Sequence, residues 1–563
     1  MDHVALTAID GAPALVELRV RGPEPSVGAG PAAGPEVEPG ATTRVAADGL
    51  AEAVRRREAA GPVRWVWESS ARHYPPLLAA GVRVERCHDL RLARRILRSA
   101  PALRAAGSEL ATAPADAWDA PAGPRAEPVG GALFELEAPA APDPVAEFAR
   151  QRAALAAADA DGRLALLLSA ESVGSLVAEE MRHAGLPWDA ERHDAILTEL
   201  LGPRPPVGAR PAHMEELVVR IREALDDPAV NPDSPVELVK RLQNAGLAVR
   251  STSRWELKAI EHPVIAPLLE YKSLQRLHVA NGWHWVDEWV HGGRFRPVYV
   301  PGGVVTGRWA SDGGGALQIP KAVRGAVVAD PGWSFVVADA AQLEPRVLAA
   351  LSRDDAMAAA GRAQDLYTGM VDAGVVETRE QAKYGMLGAI YGGTTGESAR
   401  VLPRLRRAYP RAMALVEEAA RAGERGEAVA THLGRGSPRL QAEDWDETRS
   451  DAQIARAQQD ARAWGRFTRN FVVQGTAAEW ALCWMGALRR RLAELGGADP
   501  LAGPHLVFFL HDELVVHSPA PLAEAVAAAT REAAAEAGRL LFGAAPVEFA
   551  LSVAIVQRYA DAT

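Results

Sequence analysis

Cysteine is nearly missing: Cys87 and Cys483 are the only two in 563 residues, and they fall in different regions of the chain. That excludes a disulfide framework or a cysteine-built zinc site and fits a reducing compartment, the cytoplasm. There is no run of about 18 apolar residues and no basic-then-apolar opening segment, so neither a membrane span nor a signal peptide is expected. Lysine is scarce too, five against 57 arginines, in a composition heavy in Ala, Gly and Pro. A GC-rich genome imposes such a bias through codon supply, so the number of arginines says little and the positions of the lysines say more. The net charge of −10 speaks only weakly against a nucleic-acid partner, because an acidic total can coexist with a local basic groove. What remains, 48 % hydrophobic and 24 % charged, is ordinary globular protein, long enough for two or more domains.

Residues 1–145 are rich in Pro, Gly and Ala, with short apolar runs such as "PALVELRV" and "VRWVWES". They read as a small α/β unit interrupted by a flexible stretch around 22–42. The Pro/Ala-rich "LEAPAAPDPVAEF" marks a boundary near 137–146. Beyond it "LVAEEMRHAGL", "MEELVVRIREAL" and "SPVELVKRLQNAGL" carry apolar residues at three- and four-residue spacing, the mark of helices. Strand-like segments return at 298–305, 334–338, 505–510 and 514–516. The second part is therefore a mixed α+β domain whose strands lie far apart in sequence.

Two of those strands end on acids. In "GWSFVVADAAQLEPRVLAALSRD" a strand from Trp333 to Ala338 leads into Asp339, and a helix follows. In "HLVFFLHDELVVHS" the ionisable His511, Asp512 and Glu513 interrupt an apolar hairpin. Taken singly, Asp339 reads as a helix N-cap and Asp512 as a turn residue. If the strands are neighbours, the two aspartates converge, and paired carboxylates without His or Cys suit hard cations such as Mg²⁺. Two such ions about 3.5–4 Å apart serve phosphoryl transfer.

A third element bears on that choice. In "TREQAKYGMLGAIYGG", Thr378 with Gln381 makes a capping box and Gly392-Gly393 a stop. Arg379, Lys383, Leu387 and Tyr391 are each four residues apart and share one face. Two cations in the first turns of a helix oppose its dipole, by about 0.3–1 kcal/mol each. Together with the helix N-terminus they make an anion site suited to a triphosphate. The competing reading is a solvated basic face. A similar stripe, Arg466, Asn470 and Gln474 beside Phe467 and Phe471, suits contact with a groove edge or sugar–phosphate backbone, or an ordinary amphipathic helix.

In this order the stretches resemble the family A DNA polymerases, the DNA polymerase I type. "VVADAAQLEPRVLAALS" is similar to motif A, "REQAKYGMLGAIYGG" to motif B and "LHDELVV" to motif C; "VVTGRWAS", "ALQIP" and "NFVVQGTAAEW" also match in order. The resemblance covers about residues 150–563, including the thumb-like "HAGLPWD", "SPVELVKRLQNAGL" and "LLEYKSLQRL". It implies an α+β right-hand fold over 146–563: thumb about 180–290, palm with an antiparallel sheet about 291–352 and 462–563, and helical fingers about 353–461. A small, degenerate α/β exonuclease-like domain over 1–145 would precede it. By the resemblance, Asp339 and Asp512 bind two Mg²⁺, for which Mn²⁺ can substitute, and Lys383 joins them in catalysis. Arg379, Lys383, Leu387, Tyr391, Gln342 and Glu344 form the nucleotide site, Glu344 filling the space of a ribose 2′-hydroxyl. Arg308, Arg466, Asn470, Gln474 and His511 line the DNA, and Glu513 lies near the metals. The implied partners are primer–template DNA and dNTPs, with no membrane, for a monomer in the cytoplasm at the nucleoid. The implied activity is template-directed addition of dNTPs to a primer 3′-hydroxyl, in repair or gap filling.

Three departures stand out. Leu387 occupies a position where the family usually has an aromatic residue, and base stacking is worth about 1–3 kcal/mol, so nucleotide binding should be weaker by about tenfold or more. "ALQIP" lacks the asparagine expected before Ile319, and the stretch after it is short, which touches contacts near the template. Pro345 follows Glu344, tolerable in a first helical turn. In the first domain a proofreading site would need Asp-x-Glu on a first strand. "PALVELRV" has Glu17 but Ala14 and Leu15; Glu68 and Asp89 are scattered elsewhere, so no proofreading is expected. The front is also too short for a 5′-nuclease domain. Two rival readings stay open: a catalytically weak DNA-binding scaffold that keeps the fold, and a two-metal nuclease.

Overall fold

The computed structural model describes residues 1–9, 12–21, 36–120, 143–159, 161–362, 365–393, 396–440, 451–496 and 502–562. Two compact units emerge. One comprises Met1–Ala184, Val298–Asp312 and Val336–Ile555, the other Gly185–Pro297, Gly313–Phe335 and Val556–Thr563.

The first unit opens with a five-stranded sheet: β1 (Asp2–Ile9), β2 (Ala12–Arg21), β3 (Glu36–Arg44), β4 (Val63–Trp67) and β5 (Cys87–Asp89), in the order β3-β2-β1-β4-β5. β1 to β3 pair antiparallel, while β4 is parallel to β1 and β5 to β4. Parallel neighbours need crossovers. Helix α1 (Leu50–Ala59) lies on the path into β4, and α2 (Ser70–Ala79) links β4 to β5. Of the stretch expected to be flexible, 22–35 lies outside the described residues, and Glu36–Arg44 is a strand. Its Pro39 and Gly40 are tolerated because β3 is an edge strand, paired on one side only.

Helices α3 (Leu90–Ser99), α4 (Pro144–Ala158) and α5 (Arg163–Ala184) follow. Phe148 of α4 packs with Val16, Leu18, Val66 and Leu90, and Leu176 of α5 packs with Val4, Trp65, Trp67 and Tyr74. The other side of α5 meets a later helix closely: a Cβ on Gly174 would lie 2.5 Å from Leu482 Cδ2. One helix thus joins the first sheet to the rest of the unit.

The second unit is built on helices at Ala190–Leu201, Ala212–Leu225, Pro235–Asn244 and Ile265–Asn281, the second and third of them where periodicity predicts helices. Trp188, Trp285 and Phe295 form an aromatic cluster inside it, with centroids 4.9–5.9 Å apart.

A four-stranded sheet, most of whose residues fall in the first unit, consists of β6 (Trp333–Ala340), β7 (His505–Leu510), β8 (Glu513–Pro519) and β9 (Leu551–Val556), ordered β7-β8-β6-β9. Helices α6 (Leu343–Ser352), α7 (Arg379–Tyr391), α8 (Asp451–Gly496) and α9 (Ala523–Phe542) accompany it. Pro345 sits in the first turn of α6, where a missing N–H costs no helical bond. Residues 298–305, expected as a strand, supply only Tyr299–Val300, paired with Ala310–Ser311. Gly302 and Gly307, with φ of 58° and 87°, turn the chain back between them. No helix among the described residues is long and apolar enough to cross a membrane.

Candidate active site

The sheet decides where the two aspartates stand. β8 lies between β7 and β6, so the hairpin tip carrying Asp512 meets the end of β6 carrying Asp339, although 173 positions separate them. Ala340 N donates to Asp512 O at 2.9 Å, and Asp512 N to Leu510 O at 2.7 Å, closing a tight turn. His511 takes the left-handed conformation there, φ 59°, one that histidine tolerates better than most residues. Asp339 is not a helix cap: it lies on β6, and α6 begins only at Leu343, with Gln342 at the N-cap and no side-chain capping bond.

Both carboxyls are pushed up. Burial and then Asp339 raise Asp512 to about 7; burial and then Glu513 raise Asp339 above the usual carboxylate range. Each responds to the other acids of the cluster, as groups sharing one space must. Burial, and then Arg308, lower His511. Among the described residues no three His, Cys, Asp or Glu side chains form a ready metal cage. The chemistry of the pair, two opposed oxygen donors that a cation would relieve, nevertheless suits a hard divalent ion.

Beside this pair, Glu344 in the first turn of α6 accepts a hydrogen bond from Arg308, and the Tyr391 hydroxyl donates its one proton to the same carboxylate, lying 3.0 and 2.9 Å from its two oxygens. Burial and Glu344 push the Tyr391 phenol up to about 12, and Gln474 bonds the same hydroxyl. Two of the expected nucleotide- and DNA-site residues, Arg308 and Tyr391, therefore meet Glu344, and a third, Gln474, joins through Tyr391.

α7 starts and stops as predicted. Thr378 accepts from Gln381 N at 3.2 Å, Gln381 Oε1 accepts from Glu377 N at 3.1 Å, and Gly392 ends the helix at φ 75°. Lys383 is exposed and, among the described residues, makes no ion pair, whereas Arg379 is bound to Asp365. Leu387 is half-buried and Tyr384 lies exposed. The second stripe runs along α8 against the end of α7. A Cβ on Gly392 would lie 2.7 Å from Arg466 Cγ, so that glycine lets the Arg466 stem cross. Asn470 and Gln474 are half-buried on the same face, and the Gln342 side chain accepts from Leu366 N at 3.1 Å.

Sequence reasoning missed three features. A buried network joins Arg435 to Glu171 at 2.9 Å, Thr431 to Glu479, and Leu433 N to Glu479 at 3.0 Å, with Glu479 pushed up to about 7 by burial. It braces the turn before Arg308, because a Cβ on Gly307 would lie 2.6 Å from Arg435 Nε. Its members, spread over some 300 positions, share no local pattern. In the second unit, Lys240, Arg250, Arg254, Lys272 and Arg276 line one groove with Ser251, Thr252 and Ser253. There a signal existed: four of the five lysines, at 240, 258, 272 and 321, fall in that unit. The third is Asp365, taken up below.

Two of the three acids singled out in the first domain, Glu68 and Asp89, serve the fold. Glu68 pairs with Arg91 at 2.6 Å and with Arg72. Asp89 is buried and caps α3, accepting from Leu92 N at 3.1 Å and Ser70 N at 2.7 Å. Glu17 points from β2 into solvent.

Against known proteins, residues 210–560 match the family model described as DNA polymerase family A. The thermostable DNA polymerase I of Thermus thermophilus is 30 % identical over 316 residues, 50 % of this chain and 35 % of that protein. DNA polymerase I of Chloroflexus aurantiacus is 28 % identical over 325 residues, 52 % of this chain and 32 % of that one. The match thus spans about a third of the length of these curated relatives. Among solved structures, the POL domain of Pol1 from M. smegmatis, in complex with DNA primer-template and dNTP, aligns over 93 % of this chain and 94 % of its own, with a TM-score of 0.63 at 18 % identity. At that identity the likeness is one of fold.

Proposed function

Since the chain belongs to DNA polymerase family A, we propose that it is a template-directed DNA polymerase that extends a primer 3′-hydroxyl with dNTPs and does not proofread. The observation that carries this reading is the meeting of Asp339 and Asp512 across one backbone hydrogen bond, beside Glu344 held by Arg308 and Tyr391.

In this reading Asp339 and Asp512 hold divalent cations, Mg²⁺ by the hardness of the donors, with Glu513 nearby. When bound, such ions supply charge for the attacking and leaving oxygens of an in-line phosphoryl transfer. The rest falls to the chain. Arg379 and Lys383 at the head of α7 take the triphosphate, where dipole and cations act together. Glu344, fixed by two partners, fills the space a 2′-hydroxyl would need, so deoxyribose is selected by exclusion. Gln342 and Tyr391 border the nucleotide. Arg308, Arg466, Asn470, Gln474 and His511 contact the duplex end, and the groove around Lys240 and Lys272 adds phosphate contacts in its own unit. Catalysis is then positioning and charge neutralisation. Gap filling in repair is the role that suits such an enzyme. Glu68 and Asp89, committed to ion pairs and a helix cap, support the absence of proofreading.

One observation favours the scaffold reading: Leu387 offers no ring for a base. The test is extension of an end-labelled primer on a longer template with Mg²⁺ and four dNTPs, with Asp512→Asn alongside. Extension by the wild type and its loss in Asp512→Asn, with DNA binding retained, is expected. No extension at high dNTP concentration, with DNA still bound, leaves the scaffold; loss of labelled DNA without extension indicates the nuclease.

A further inference from the structure

Arg379 does not stand alone at the head of α7. Asp365 Oδ2 accepts from its Nε at 2.8 Å and lies 2.7 Å from its Nη2, while the guanidinium covers the Tyr367 ring at 5.6 Å. Asp365 is itself fixed. It is the N-cap of the helix Leu366–Asp372, and its other oxygen accepts from Thr368 N at 3.0 Å. The next residue ties back to the acid site, Leu366 N donating to Gln342 Oε1 at 3.1 Å. A continuous set of bonds therefore runs from the turn after Asp339, through Gln342, Leu366 and Asp365, to Arg379.

The edge of the guanidinium that Asp365 uses decides what this arrangement does. A carboxylate oxygen astride Nε–H and one Nη2–H leaves the twin-Nη edge, the one that grips a phosphate end-on with two parallel bonds. A competitor for the anion would occupy that edge instead. We propose that Asp365 is a positioning residue for the incoming nucleotide: it orients Arg379 so that its free edge meets the triphosphate, at a set place relative to Asp339. The inference rests on the polymerase reading above. Arg379 is about half exposed, at 52 %, and without Asp365 and the ring beneath it the side chain is free to wander. Freezing a long side chain anew on binding then weakens nucleotide affinity by about fivefold.

Asp365→Ser separates this role from capping. Serine still caps the helix Leu366–Asp372, because its hydroxyl accepts from the N–H three residues on, but it is too short to hold Arg379. Single-turnover extension of a primer–template would measure the apparent Kd for dNTP and the maximal rate in wild type, Asp365→Ser, Arg379→Ala and the double variant. The expected result is a rise of about fivefold in apparent Kd for Asp365→Ser with a smaller change in rate, and no further rise when it is added to Arg379→Ala. An unchanged or lower Kd in Asp365→Ser overturns the proposal, a lower one marking Asp365 as a competitor. An equal rise in the Arg379→Ala background overturns it too, since the effect then bypasses the arginine. If Arg379→Ala itself leaves the Kd unchanged, or the wild type does not extend, the polymerase reading of α7 falls and the proposal with it.

Discussion

Arg489→Met is expected to cost about 3 kcal/mol and to loosen the first sheet from its unit. Arg489 lies buried on α8, and its guanidinium donates to Glu180 Oε1 at 2.6 Å and Oε2 at 2.9 Å, to Val84 O at 2.5 Å and to Glu85 O at 2.8 Å. It thereby joins α8 to α5 and to the strand-side backbone of the first domain. Removing one partner of a buried ion pair typically costs about 3–5 kcal/mol, because the other charge is left uncompensated. Here the low end applies. Arg83 still lies 3.3 Å from Glu180 and the Tyr74 hydroxyl still donates to it at 2.6 Å. Methionine also keeps much of the stem's volume, so the cavity term is small. The assay is native-state hydrogen exchange of the β4 and β5 amides, where 3 kcal/mol corresponds to roughly a hundredfold faster opening. Acidity gives a second reading of the same contact. Burial raises the Glu180 carboxyl, but Arg489 and Arg83 outweigh it and bring it from 4.5 down to about 2. A folded value below the unfolded one means that its stabilisation is present above about pH 4.5 and is lost as the pH falls toward 2. Arg489→Met should blunt that acid sensitivity. Unchanged exchange in β4 and β5, or an undiminished acid transition in the variant, would refute the reasoning.

Leu387→Phe should tighten dNTP binding by about tenfold, the lower part of the range for one base–aromatic stack, read as a fall in apparent Kd with the maximal rate little changed; no change would mean that the nucleotide base does not reach this half-buried position. A mispaired primer incubated with Mg²⁺ and no dNTPs should stay intact, since Glu68 and Asp89 are committed to structure; shortening from the 3′ end would show that the first domain retains nuclease chemistry.

Local physics made much of this protein legible from its residues. Capping by Thr378, the stop at Gly392 and the four-residue stripes of α7 and α8 depend on contacts within one or two turns, so they can be read from spacing alone. The acids at Asp339 and Asp512 are visible as interruptions of apolar strands, and the metal-binding role proposed for them comes from the family resemblance. Composition misled where pairing took over: Glu36–Arg44 reads as a linker, yet an edge strand asks only one side of its backbone to pair, so Pro39 and Gly40 fit. Residues 298–305 failed in the opposite sense, as apolar residues that make a turn around glycines. The fold alone decided which groups face each other. That Asp339 and Asp512 adjoin follows from β8 lying next to β6. That Glu344 is gripped by Arg308 and Tyr391, Arg379 by Asp365 and Arg435 by Glu171 follows from where loops and helices pack against one another. Periodicity reports which face of an element is apolar; it carries no record of the partner, because a hydrogen bond or ion pair depends on distance in space, and only the packed chain sets that distance.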